Sequence, residues 1–264
     1  MEGIVCSSIG NRLGNQMHNI AAGISFAKKY DKDFFFIKGV KNTKNSPAYT
    51  EYDWIVNKFK EYPKEITSDF VKIIEDREQT LIDIDKYSKC KNVVFIGIFQ
   101  SPKYYDRNLV QSIFGNTEED NKRIKEKYGN LSDYVSLSVR RTDFLNYSST
   151  FITPSKEWYK KCYKKYFDGK LVMISGDDYN YCKNNLLPIF GDKAFILKED
   201  DAVETLKIKQ CCKSHIIPPS TYSWWSAYLS GEDSTVVAPN IWYTKESGIN
   251  SEEKYENNWI KENL

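Results

Sequence analysis

The stretch Tyr134-Val135-Ser136-Leu137-Ser138-Val139-Arg140-Arg141-Thr142-Asp143 opens as a strand of buried type and ends in charge. After it the chain alternates. Residues 170–175, 194–197, 214–217 and 235–238 read as strands. Helices are expected from residue 155 and over 179–186, 200–212 and 221–230. Such alternation builds a parallel sheet with helices on both faces. Before the stretch, residues 4–8 read as a strand, 9–14 as a glycine-bearing turn and 33–37 as a second strand. Between them, residues 15–30 place Met17, Ile20, Ala21 and Ile24 on helical spacing. Residues 92–98 form a further strand, and 102–114 a helix whose early proline sits where a missing N–H costs nothing. Residues 41–90 are charged and partly helical, with 38–45 as a polar loop. The economical architecture is α/β, with two Rossmann-like domains, 1–130 and 131–264, facing a central cleft. Ligands of such sheets sit at the carboxyl ends of the strands. Chemistry is therefore expected in the loops after Ser8, Val139, Ser175 and Ile217.

Hydrophobic residues make up 41% and charged residues 28%, which excludes a disordered chain. The 38 basic and 36 acidic residues nearly cancel, so no nucleic-acid partner is implied. The first residues lack the basic start and apolar run of a signal peptide, and no apolar stretch reaches membrane-spanning length. A cytoplasmic protein is expected, with peripheral membrane association where an acceptor is lipid-linked. The six cysteines form no C-x-x-C unit and are expected reduced.

Four segments carry candidate chemistry. In Leu13-Gly14-Asn15-Gln16-Met17, Gly14 lets backbone approach a ligand at a helix start, where free N–H groups favour anions. Asn15 is a ligand contact or a helix N-cap. At the end of the opening stretch, Arg140 and Arg141 point to opposite faces. One guanidinium fork suits a diphosphate and the other an ion pair, with Asp143 as the orienting carboxylate. Asp177 and Asp178, after Gly176, are candidates for a nucleoside contact and for capping the next helix. Ser220, Thr221, Tyr222 and Ser223 form a hydroxyl-rich helix start suited to an anion, and Trp224 and Trp225 read as core. No Ser/His/Asp arrangement supports a hydrolase, and Asp83-Ile84-Asp85 reads as a solvated face, so no metal site is expected.

In this order the segments resemble the α-1,2-fucosyltransferase family (glycosyltransferase family eleven), a distant relation of the protein O- and α-1,6-fucosyltransferases. Leu13–Met17 is similar to the family's G-x-L-G-N-Q-M segment, with Asn11 in place of its first glycine. Ser138–Asp143 resembles H-x-R-R-x-D, and Gly176-Asp177-Asp178 resembles S-D-D. Ser220–Trp225 resembles S-S-F-S-W-W, residues 97–101 a G-Y/F-x-Q-S run, and residues 238–243 the closing A-P-x-x-W-F/Y. The resemblance implies a GT-B-type fold, GDP-fucose as donor, inversion at the sugar carbon and no cofactor or metal. It implies an acceptor-side N-terminal domain, a GDP-sugar-binding C-terminal domain and a glycan acceptor, lipid- or protein-linked. By the same resemblance, Arg140 meets the donor's β-phosphate and acts as the catalytic residue. Asn15 and Gly14 belong to the donor loop, with Arg141 and Asp143 beside the donor. Ser220, Thr221 and Ser223 contact phosphate, with Tyr222 also at the donor, and Asp177 or Asp178 contacts the nucleoside. Two positions depart: Ser138 stands where the motif has histidine, and Pro219 where relatives usually carry asparagine. The alternatives are another GDP-deoxysugar or linkage, a nucleotide-sugar or glycan-binding protein without turnover, and an NAD-type domain. Lack of a full G-x-G-x-x-G argues against the last.

Overall fold

The computed structural model describes residues 3–38, 52–75 and 80–264. Beyond Lys38, the polar loop expected over 38–45 lies outside these residues. The chain forms two compact units, residues 3–113 with Glu252–Tyr255, and Phe114–Ser251 with Glu256–Leu264.

In the first unit, β1 (Gly3–Ile9) runs into α1 (Leu13–Lys29) and then β2 (Lys32–Lys38). The short α2 (Asp53–Val56), β3 (Phe70–Ile74) and β4 (Asn92–Ile96) follow, and α3 (Arg107–Phe114) reaches the division between units. The sheet is parallel, in the order β2-β1-β4-β3. Val5, Phe26, Ile73, Val93, Phe95 and Phe99 close one core. Strand β3 was not expected, because Phe70-Val71-Lys72-Ile73-Ile74 alternates poorly and its Val71 and Ile74 are exposed at the sheet edge. The helix expected over 102–114 is broken. Tyr105 is extended, and Asp106 starts α3 by accepting from the Leu109 amide at 2.9 Å.

The second unit contains α4 (Glu118–Tyr128), β5 (Tyr134–Val139), α5 (Thr142–Asn146), α6 (Lys156–Tyr166) and β6 (Leu171–Gly176). After these come α7 (Tyr179–Tyr181), α8 (Leu187–Phe190), β7 (Ala194–Ile196), α9 (Ala202–Gln210), β8 (Ser214–Ile216), α10 (Thr221–Tyr228), β9 (Thr235–Pro239) and β10 (Ile260–Glu262). All pairings are parallel, in the order β10-β9-β8-β5-β6-β7. Successive strand residues face opposite sides. On β5, Val135, Leu137 and Val139 pack with Trp158, Tyr159 and Cys162 of α6, while Ser136 and Ser138 face the other way. That second face, with Met173, is covered by Ile124 of α4 and Ile208 of α9. The unit begins at Phe114, ahead of the expected boundary near residue 130. Helix α4 belongs to it because Asp120 pairs with Lys207 at 2.7 Å and Arg123 with Glu204 at 2.5 Å. Caps mark its helix starts, as Ser155 accepts from the Trp158 amide and Asp201 from those of Val203 and Glu204.

Candidate active site

Gly14 and Asn15 belong to the first unit, as the second and third residues of α1. The N-cap position is held by Arg12, in extended backbone, so Asn15 does not cap the helix. Its amide donates to the Arg12 carbonyl at 3.0 Å, and its side chain is half-buried. Asn11, which replaces the first motif glycine, has φ +63°. That left-handed conformation explains both the usual glycine and the tolerance of asparagine, the non-glycine residue that adopts it most readily. A groove of about 700 Å³ in this unit is lined by Phe26, Lys29, Ile82, Asp85, Tyr104 and Asp106. It lies at the far end of α1, roughly 15–20 Å along the helix from Gly14, and so does not adjoin the glycine turn.

The remaining candidates lie in the second unit, and β5 and β6 bring five of them together. Their register pairs Val139 with Gly176, which sets the two strand-end loops side by side. Asp177 is the hub. Its carboxylate accepts from Arg140 Nη1 at 2.9 Å, from the Arg141 amide at 2.8 Å, and from the Thr142 amide at 3.2 Å and hydroxyl at 2.7 Å. Arg140 also donates through Nη2 to Asp143, and its guanidinium stands 5.3 Å from the Phe144 ring. Arg141 lies over the Tyr181 ring at 3.8 Å and reaches Asp178 at 3.4 Å. Asp178 in turn caps α7, accepting from the Tyr181 amide at 2.9 Å. The two arginines are thus fixed in separate sleeves, each with a carboxylate on one side and an aromatic face on the other. Arg140 spends two of its five N–H donors on carboxylates and is 19% exposed, so it has both donors and access for a ligand.

Ser220 caps α10, its hydroxyl accepting from the Ser223 amide at 3.4 Å, and both serines are buried. Thr221 and Tyr222 are half-buried. The Tyr222 hydroxyl donates to the Ala202 carbonyl at 2.6 Å, tying the start of α10 to that of α9. Ser138 is 1% exposed, and its Oγ has no hydrogen-bond partner. Trp224 and Trp225 are fully buried, as expected of core residues. Sequence reasoning missed Thr142, Phe144, Tyr181 and Lys209. The first three follow Arg140 or Asp178 within four residues, and short-range contact is their signal. Lys209, 1% exposed over the Tyr222 ring, gives none.

The sequence profile described as glycosyl transferase family 11 matches residues 8–263. An alpha-1,2-colitosyltransferase of Escherichia coli is 25% identical over 290 residues, covering 98% of each chain. An Arabidopsis thaliana FUT1 mutant solved in complex with GDP aligns with a TM-score of 0.54 at 11% identity, over 90% of this chain and 70% of that one. POFUT1 in complex with GDP gives 0.53 at 12% identity, over 90% and 98%. At such identities the likeness is one of fold, the α/β GT-B type.

Proposed function

The chain belongs to glycosyl transferase family 11, and we propose that it moves a deoxysugar from a GDP donor to a hydroxyl of a glycan, with inversion and an α-1,2 linkage. The observation that carries this is the Arg140–Arg141 pair, held by Asp177, Asp143 and Asp178 at the carboxyl end of β5. The donor is GDP-fucose, as the motifs imply, or its colitose counterpart, which the 25% identity to a colitosyltransferase favours. Two neighbours in fold were solved with GDP. The second unit binds the GDP-sugar and the first unit the acceptor, lipid- or protein-linked.

Guanosine diphosphate departs as the acceptor hydroxyl attacks from the opposite face of the sugar, and the hydroxyl proton passes to solvent. Negative charge grows on the leaving diphosphate and is met by Arg140 and by the start of α10 at Ser220, Thr221 and Ser223. These groups are fixed before reaction, so they need no reorganisation as the charge develops. No metal takes part in this scheme.

The test is direct. Incubation with GDP-fucose or GDP-colitose and acceptors ending in galactose, rhamnose or glucosamine should give a product heavier by one deoxysugar. Release of GDP that tracks the mass gain is expected. No gain with either donor across the acceptor set would refute transfer and leave a binding protein.

A further inference from the structure

The charges around Arg140 do not by themselves favour an anion. Arg140 and Arg141 bring two positive charges and Asp143, Asp177 and Asp178 three negative ones, which leaves one negative in excess. A nucleoside diphosphate adds more negative charge. The donor site proposed above therefore calls for another cation in the same unit. The start of α10 supplies a partial charge. A titratable amine lies beside it.

Lys209 stands on the inner side of α9 and is 1% exposed. Its amine lies 5.0 Å from the centre of the Tyr222 ring. Tyr222 is the second residue of α10 and is anchored through its hydroxyl to Ala202 at the head of α9. One side chain thus links the lysine to the hydroxyl-rich turn. The titratable groups around the amine come from three elements. From β8 comes His215, which burial pushes down to about 3, so it is neutral. From the end of α9 comes Cys212, whose thiol burial pushes up. From α10 comes Tyr222. Among the described residues no carboxylate offsets the burial of the lysine, which lowers its amine to about 7. Polar groups nearby are also unsatisfied. Ser136, paired in register with His215, and Ser138 have unpartnered hydroxyls, and His215 Nδ1 is unpartnered as well. Buried polar groups normally find partners, and a buried ammonium without an acid beside it is costly.

We propose that Lys209 is a positioning residue of the donor site, whose amine takes up a proton from solvent as the diphosphate docks at Ser220–Ser223. The ammonium then adds positive charge beside Tyr222, in the same unit as the Arg140 cluster. In the ligand-free chain near pH 8 the amine is mostly neutral, which spares the fold an unpaired buried charge. The inference rests on the donor site proposed above.

Calorimetric titration of GDP into the full chain, in buffers of different ionisation enthalpy, counts the protons. At pH 8 an amine titrating near 7 is about one-tenth protonated, so uptake of ~0.9 proton per GDP is expected, whereas at pH 6 the amine takes up only ~0.1 and the half-protonated terminal phosphate gives up protons instead. A terminal phosphate with a pKa of about 6 is already ionised at pH 8 and adds little. Binding of GDP with uptake below ~0.3 proton at pH 8 overturns the inference and leaves the donor reading standing. Absence of any GDP binding takes down both. In Lys209→Met the uptake should vanish and GDP should bind about tenfold more weakly at pH 6. The ligand-free variant should also melt higher than the parent at pH 6, because a buried charge is gone. A folded variant that keeps the uptake contradicts the proposal, and the titration of the parent decides the matter if the variant does not fold.

Discussion

Arg140 is the residue on which the proposed chemistry turns, and its surroundings explain why no other side chain replaces it. The guanidinium bridges Asp177 and Asp143 at once while standing against Phe144. A lysine ammonium is a point charge without that fork and cannot hold both carboxylates in one plane. Arg140→Lys and Arg140→Ala should each lower kcat by roughly 10²–10³-fold, the loss typical of a donor aimed at developing charge. Steady-state release of GDP measures this, and near-normal turnover in either variant would remove Arg140 from the mechanism. Ser138 behaves differently. Its hydroxyl is buried and unpartnered, so deleting it forfeits no hydrogen bond. Ser138→Ala should leave the melting temperature unchanged or slightly raised. A fall of several degrees would reveal a bond that the geometry does not contain. Of this cluster, the sequence exposed the arginines and aspartates as a set but not their pairing. Spacing assigns one arginine to a diphosphate and the other to an ion pair, without saying which carboxylate holds which. The fold joins Arg140 to Asp143 and Asp177, and Arg141 to Asp178, because the parallel register sets the β6 loop beside the β5 loop.

Among the elements, β10 shows how few residues can hold a sheet edge. It pairs with β9 over Ile260, Lys261 and Glu262. Glu262 accepts from Lys165 Nζ at 2.8 Å and from the Tyr166 hydroxyl at 2.6 Å, and lies 3.2 Å from Lys161, all on α6. Lys165, then Tyr166, hold its carboxyl down to about 2. An unfolded glutamate takes up its proton near pH 4.3. The stability this group contributes is therefore complete above that value and is lost as pH falls toward 2. Glu262→Gln should lower stability at pH 7 and flatten the acid limb of the denaturation curve between about pH 4 and 2. An unchanged limb would show that the carboxylate is idle. Helix α4 depends on its start in a similar way. Thr117 and Asp120 exchange hydrogen bonds as a capping box. Thr117→Ala should cost about 1 kcal/mol in chemical denaturation. Neither α4 nor β10 was expected from the sequence. The first is so charged that its single buried isoleucine, Ile124, gives no periodicity, and the second is too short to alternate.

On the scale of the whole molecule, the C-terminal segment serves both units. Residues Glu252–Tyr255 pack with the first unit, where Lys254 is 1% exposed and Lys103 pairs with Glu253 at 2.6 Å. Residues Glu256–Leu264 return to the second, where Trp259 is 7% exposed and packs against Trp224. Ending the chain at Ser251 should lower the melting temperature by roughly 10 °C, since losing one large buried aromatic alone costs about 3–5 kcal/mol. An unaltered thermal melt would show the segment to be dispensable. No helix among the described residues is long and apolar enough to cross a membrane. Most of the strand–helix alternation, the parallel pairing of the strands and the family were legible in the sequence alone. Hydrophobic periodicity and short glycine-, arginine- and serine-bearing motifs act locally, over a strand or a helical turn. Tertiary structure alone decided which carboxylate holds which arginine, how the C-terminal segment is shared, and that Lys209 is buried beneath Tyr222. Apart from the local Arg140–Asp143 pair, each of these depends on register and burial between segments separated in sequence, and no local pattern of residues encodes such contacts.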